Sequence, residues 1–270
     1  MSAVLPIREV EKPWGRERLP APFASSDGKR IGEIWFEPPA VLPQLLVKYI
    51  FTSEALSVQV HPSDAETLAK GLGRQGKEEC WLIIDAEPEA KLGIGFKQPL
   101  SSEALRTAAQ DGSIEDLMQW HDVRPGDFFY IPAGTVHAIG AGVSLIEVQQ
   151  NSDITYRLYD YGRPRELHLD EGVAVAKGQP YSDEFKLSVP DREDVTLVEG
   201  PLFRLDQIEG LPNEDAAMRY GARPLLVIPR KGMAKIAGET VLPGGCGFAK
   251  DFDEVVFDGN GACLIAQSLA

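Results

Sequence analysis

Gln59 and His61 stand two residues apart in Ser57-Val-Gln-Val-His-Pro62. Lys77 and Glu79 repeat that spacing just before the apolar run Trp81-Leu-Ile-Ile84. Side chains in a strand alternate between its two faces, so each pair projects from one side. His137 sits in a further strand-like segment, Thr135-Val-His-Ala-Ile139. Two imidazoles, a carboxylate and an amide oxygen can hold one divalent ion. They suit zinc better than calcium or magnesium, which favour oxygen alone. Gln59, His61, Glu79 and His137 are therefore candidate metal ligands. The bland alternative is a set of hydrogen-bonded structural residues, and Gln59 is the weakest donor of the four. Against it, the chain has only four histidines, and two of them fall in strand-plus-turn settings with other polar groups on the same face. Polar groups turned into a small β-structure need partners. His121 and His168 lack such company and read as structural.

A second polar pattern runs from Glu147 to Arg157. Glu147, Gln149, Asn151, Asp153, Thr155 and Arg157 occupy every odd position. If the segment stays extended, all of them face one way. A solvated sheet face gives the same pattern, but proximity to His137 favours an inward-facing row. Arg157 and Arg163 then bring positive charge to the mouth of the site, and guanidinium groups suit a phosphate because they bind it with paired hydrogen bonds.

The elements that must position these residues are mostly short strands. Ile31–Phe36 and Leu45–Phe51 read as strands, the first stopped by Pro38-Pro39, and Lys12-Pro-Trp-Gly15 reads as a turn. Ser63 with Glu66 is a capping-box signature for a short helix ending at Gly71 or Gly73. Leu92–Phe96 reads as a strand. Residues 101–120 read as a helical insertion in two pieces, capped by Ser102 and Ser113 and broken at Gly112, the second running from Ile114 to Trp120. Strands recur between Gly/Pro turns from Val123 to Gln150, a texture of sandwiches and barrels. A short helix is expected over Asp170–Ala176. After a polar stretch, residues 201–270 return to strands and turns, with no further histidine.

With 27 basic and 41 acidic residues, the net charge is −14. That excludes a nucleic-acid surface, which needs a basic face. It also makes clustered cations informative. No apolar run reaches the length of a membrane span, and the first residues do not read as a secretory leader. Cys80, Cys246 and Cys263 form no paired motif and read as buried reduced thiols of a cytoplasmic protein, with Cys80 turned away from Glu79.

Taken together, Ser57–Asp64, Gly76–Trp81, Ile131–Ala138 and Glu147–Arg157 resemble the signature segments of the type I mannose-6-phosphate isomerases, most closely the short bacterial form. Similarity spans roughly residues 8–170. The resemblance implies a mainly β fold: a cupin (jelly-roll) β-barrel with a short helical insertion over residues 1–163, and a second, smaller, metal-free β-barrel domain over 164–270. It implies one Zn2+ per chain, held by Gln59, His61, Glu79 and His137. It also implies a sugar-phosphate substrate, with Lys77, Glu147, Asp153 and Arg157 as catalytic candidates, Arg157 standing at the family's catalytic arginine. Gln149 and Arg163 are added as substrate-binding candidates, although longer members carry lysine where this chain has Arg163. The expected reaction interconverts mannose 6-phosphate and fructose 6-phosphate through an enediol, in a monomer or weak homodimer. A non-haem iron cupin oxygenase using His61, Glu79 and His137, a non-catalytic sugar-phosphate-binding cupin and a structural bicupin are the alternatives.

Overall fold

The computed structural model describes residues 1–24 and 28–270. Two facing sheets form the N-terminal part. One contains, in spatial order, Lys186–Ser188, Asp127–Ile131, Glu79–Ala86, Val143–Gln150, Leu45–Phe51, Ile31–Phe36 and Ile7–Arg16. The other contains Tyr156–Tyr159, Val58–Val60, His137–Ile139, Lys91–Phe96 and Met118–Asp122. All pairings are antiparallel. The sheets face each other as a sandwich, and among the described residues no hydrogen-bonded seam joins them into a closed barrel.

Most of the expected elements form as read. The capping box at Ser63 is complete: Ser63 N–H donates to Glu66 Oε2 at 2.7 Å, and the helix Asp64–Ala69 ends before Gly71 at φ +68°. Three details differ. The first insertion helix is capped by Ser101, not Ser102, Ser101 Oγ accepting the Ala104 N–H at 3.1 Å. The second piece is helical only over Ile114–Leu117. Residues Met118–Asp122 are instead a strand paired to Lys91–Phe96, where Gly93 leaves room for Met118 and Trp120 to pack. Tertiary pairing there overrides local helix preference. Lys12–Gly15 is no free turn either. It is a loop-out inside the strand Ile7–Arg16, since Glu11 and Arg16 both register with Ile31.

The run Glu147–Arg157 also divides. Val143–Gln150 lies in the larger sheet, the strand Tyr156–Tyr159 in the smaller, and residues 151–155 cross between them. The segment thereby stitches the two faces of the site together.

The C-terminal part holds a six-stranded sheet that includes Phe203–Glu209, Leu225–Lys231 and Ala262–Ser268, with a three-stranded sheet beside it. Two exchanged strands interleave the two parts: Ala3–Val4 pairs with Gly247–Ala249, and Lys186–Ser188 pairs with Asp127–Ile131. One hydrophobic cluster spans both, joining Phe36, Tyr49 and Ile146 to Phe203, Leu226 and Phe248. All three cysteines are buried and unpaired. Cys80 points into that cluster, away from Glu79. No helix is long and apolar enough to cross a membrane.

Candidate active site

Register explains why distant residues meet. Gln59 on the strand Val58–Val60 lies opposite His137 on one side and Arg157 on the other. Directly opposed residues share a face of the sheet, so an amide, an imidazole and a guanidinium form one row. The facing sheet supplies a second row. Trp35, Lys48, Glu147 and Trp81 are cross-strand neighbours on four adjacent strands, and Glu79 lies opposite Gln149. His61, just beyond Val60, completes the cluster.

His61, Glu79 and His137 are almost wholly buried, and their ligand atoms lie within 4.8 Å of one another. Nδ1 of His61 is 2.9 Å from the Ile154 carbonyl, and Nδ1 of His137 is 2.9 Å from the Thr135 carbonyl. A carbonyl only accepts, so each Nδ1 carries the proton and each Nε2 carries the lone pair that a metal can use. The two Nε2 atoms point at Glu79: His61 at 3.7 Å from Oε2, His137 at 3.4 Å from Oε1. Glu79 Oε1 is buried and has no hydrogen-bond donor. Such an orphaned oxygen costs about 1–3 kcal/mol or more if left alone, and a cation at the Nε2 convergence point relieves it. The donor set fits a divalent metal. Gln59 Nε2 lies 3.3 Å from His137 Nε2, and Oε1 is 3.2 Å from Ser57 Oγ. Rotating the amide exchanges its O and N and turns the oxygen toward the same point.

Electrostatics fit as well. Burial lowers both imidazoles, His61 well below its ordinary range, with the Lys77 charge adding to the effect at His61. Both are therefore neutral and able to ligate. Burial alone would raise Glu79, but the charge and hydrogen bond of Lys77 outweigh it and hold the carboxylate ionised. Lys77 Nζ bridges His61 Nε2 at 3.1 Å and Glu79 Oε2 at 2.5 Å. Burial tends to lower this ammonium, yet the carboxylates of Glu79 and Glu147 overcome it and keep it above its ordinary range.

A cavity of about 480 Å³ opens beside this centre, lined by Gln59, Lys77, Glu147, Asp153, Arg157 and others. That volume suits a small ligand. Glu147 receives the Trp81 Nε1–H at 3.0 Å. Lys48 Nζ stands 3.1 Å from its other oxygen, close enough for an ion pair though not aligned as a hydrogen bond. Asp153 is exposed at the rim. Arg157 donates through Nη1 to the Glu166 carbonyl at 2.7 Å, while its buried Nε has no partner. Burial, followed by the Arg165 charge, lowers this guanidinium's affinity for its proton.

Two sequence candidates stand apart from the cavity wall. Gln149 is fully buried, its amide nitrogen donating to the Gln150 and Ser152 carbonyls. It braces the turn that carries Asp153. Arg163 is tied to Asp160 Oδ1 at 2.7 Å and to the Ala55 carbonyl at 2.8 Å. Arg165, also bound to Asp160, lines the cavity instead. His168 exchanges hydrogen bonds with the Arg157 backbone: its N–H donates to the Arg157 carbonyl at 2.7 Å, and its Nδ1 accepts the Arg157 N–H at 3.2 Å. It steadies the strand under Arg157. His121 packs between Phe129 and Tyr181, away from the centre.

The pocket residues that sequence reading missed lie on early strands. Lys48 is buried over the Trp35 ring at 4.7 Å, Trp35 Nε1 donates to Glu33 at 3.0 Å, and Lys12 stands 3.4 Å from Glu33. One signal was present: a lysine in the otherwise apolar run Leu45–Phe51, which buries a charge only where a partner awaits it.

Fold and site define a cupin-type β protein with a candidate two-histidine, one-carboxylate metal centre. The chain is a homologue of proteins named mannose-6-phosphate isomerase. It is 37% identical over 211 residues to mannose-6-phosphate isomerase ManA of Bacillus subtilis, a match covering 74% of this chain and 65% of the relative. It is 38% identical over 202 residues to the Streptococcus mutans mannose-6-phosphate isomerase, covering 71% and 62%. The chain thus spans a little under two thirds of the length of these curated relatives. Among solved structures, the Bacillus subtilis mannose 6-phosphate isomerase superposes with a TM-score of 0.75 at 25% identity, covering 98% of this chain and 99% of that one. An R274A mutant of the Salmonella typhimurium phosphomannose isomerase shares the fold, with a TM-score of 0.76 at 14% identity over the whole of both chains. No family model matches the chain.

Proposed function

We propose that the protein is a zinc-dependent mannose-6-phosphate isomerase that interconverts mannose 6-phosphate and fructose 6-phosphate through an enediol. The observation that carries this reading is the meeting of His61, Glu79 and His137, within 4.8 Å, beside a cavity lined by Lys77, Glu147 and Arg157. The names of the homologous proteins point the same way. Gln59, His61, Glu79 and His137 would hold one ion per chain, and their mixed nitrogen and oxygen donors favour zinc over calcium or magnesium. When bound, zinc supplies Lewis-acid polarisation of sugar oxygens.

The chain's own residues do the rest. Isomerisation moves a proton between C2 and C1 and another between the adjoining oxygens. Glu147 and Asp153 are two of the carboxylates at the cavity wall, and one of them acts as carbon base. Lys77, a strong ammonium within the cluster, passes a proton between the two sugar oxygens. Arg157, with its unpartnered Nε, stabilises the negative charge of the enediolate. The substrate phosphate is held at the cationic rim by the arginines of the 157–165 segment, Arg163 included if it leaves Asp160. A metal-binding cupin domain over residues 1–163 and a metal-free one over 164–270, acting as a cytoplasmic monomer or weak homodimer, complete the proposal. The test is a coupled assay for fructose 6-phosphate formation from mannose 6-phosphate: zinc-loaded protein turns over, and inert zinc-loaded protein removes the reading.

This set of ligand types alone would also serve an iron oxygenase or a silent binding protein. The Lys77 contact to both His61 and Glu79, and the carboxylates and arginine beside them, favour proton transfer on a sugar phosphate.

A further inference from the structure

A second cavity, of about 610 Å³, lies on the reverse face of the sheet that carries the candidate site. Tyr49 and Ile146, cross-strand neighbours on Leu45–Phe51 and Val143–Gln150, form part of its floor. They alternate with Lys48 and Glu147, which line the first cavity on the opposite face. The far wall comes from the C-terminal part, through Arg230 and Lys231, with Arg192 at the edge and Phe23 closing one side.

Three cations thus line this space against one carboxylate, Asp191, in a chain of net charge −14. Among the described residues, Arg192 and Lys231 make no side-chain hydrogen bond or ion pair, and Arg230 has only a hydrogen bond from Nη1 to Gln207 Oε1. Cations in an acidic chain ordinarily find carboxylates. Here two guanidinium groups and an ammonium line a space that the partly exposed Phe23 and Ile84 also wall. The first cavity has a similar imbalance, five cations against three carboxylates. Guanidinium groups match phosphate oxygens with paired hydrogen bonds, and Phe23 and Ile84 offer hydrocarbon surface to a ligand with an apolar body.

We propose that this second cavity binds a small phosphate monoester carrying an apolar group, set against Phe23 and Ile84 with its phosphate on Arg230, Lys231 and Arg192. The inference does not rest on the isomerase reading.

Isothermal titration with phenyl phosphate and with inorganic phosphate tests it, using the full chain, the Arg192→Ala/Lys231→Ala variant and the Arg157→Ala variant. Both outer cations are exposed, so their removal leaves the fold and the activity intact. Phenyl phosphate is expected to bind the parent and Arg157→Ala alike with a Kd below about 1 mM, and to bind the Arg192→Ala/Lys231→Ala variant about tenfold more weakly. It is also expected to bind more tightly than inorganic phosphate. Binding that survives loss of Arg192 and Lys231 but vanishes in Arg157→Ala assigns the ester to the first cavity and overturns the proposal. So does an absence of binding to the parent. Equal affinity for the two probes overturns the apolar half of the assignment.

Discussion

Gln59 and His137 face each other across adjacent strands, the amide nitrogen 3.3 Å from His137 Nε2. Arg157 faces Gln59 from the other side. One three-residue strand, Val58–Val60, therefore carries the residue that aligns a candidate metal ligand with a candidate catalytic group. The first prediction follows. His137→Ala and Glu79→Ala should each lose bound metal, read by elemental analysis of purified protein, while His121→Ala retains it. Gln59→Ala should weaken metal binding less, because an amide is the poorest donor of the set. Full metal content in Glu79→Ala would remove the triad from metal binding.

Arg157→Ala should abolish turnover and leave the metal in place, since among the described residues the Arg157 side chain hydrogen-bonds to the Glu166 carbonyl and to none of the candidate ligands. Arg157→Lys should restore little, because an ammonium cannot reproduce the planar fork. The measurement is kcat together with metal content, and near-parental kcat in Arg157→Ala would exclude its role.

Lys48 and Glu147 form a buried ion pair, with side chains only 8% and 4% exposed. Removing one partner strands the other, so Lys48→Met should lower unfolding free energy by about 3 kcal/mol in urea titration. Lys48→Met/Glu147→Gln should recover much of that stability while remaining inactive. If the single variant is as stable as the parent, the pair does not hold the sheet.

How much of this was legible in the sequence varies with the kind of information needed. The metal set could be read because strand alternation is local: Gln59 with His61, and Lys77 with Glu79, share faces whatever their strands pair with. Lys48 and Trp35 could not be placed, because their neighbours are set by register between strands far apart in the chain. Arg163 and Arg165 are two residues apart and similar in sequence context. Both bind Asp160, and only the added bond to the Ala55 carbonyl ties the first down, while the second lies on the cavity wall. At Met118–Asp122 a helical pattern lost to a strand because Gly93 offers Trp120 a packing site that no local signal reports.

That difference between the two arginines is itself testable. Arg165→Ala should raise KM for a sugar phosphate by about tenfold, a charge-assisted contact being worth about 1.5–3 kcal/mol. Arg163→Ala should act mainly on stability by removing its bonds to Asp160 and to the Ala55 carbonyl. Matched steady-state and urea measurements separate the two, and a larger KM effect in Arg163→Ala would reverse the assignment.

The imidazoles set a pH dependence. His61 and His137 are held below the ordinary range, by burial first, in the folded chain. The unfolded chain therefore binds protons that the folded one refuses as pH falls below about 6.5. Metal-free protein should keep this contribution to its stability above that pH and lose it progressively below. The urea midpoint should drop from pH 7.5 to 5.5, and His61→Asn/His137→Asn should flatten the drop. An unchanged slope in that variant would assign the effect to other groups.

The central claim is that Gln59, His61, Glu79 and His137 hold a metal on which a sugar-phosphate isomerase depends. The most direct measurement is coupled turnover of mannose 6-phosphate before chelation, after chelation and after zinc is returned. The account predicts activity, then its loss, then its recovery. Undiminished turnover by metal-free protein, or none by zinc-loaded protein, would contradict it.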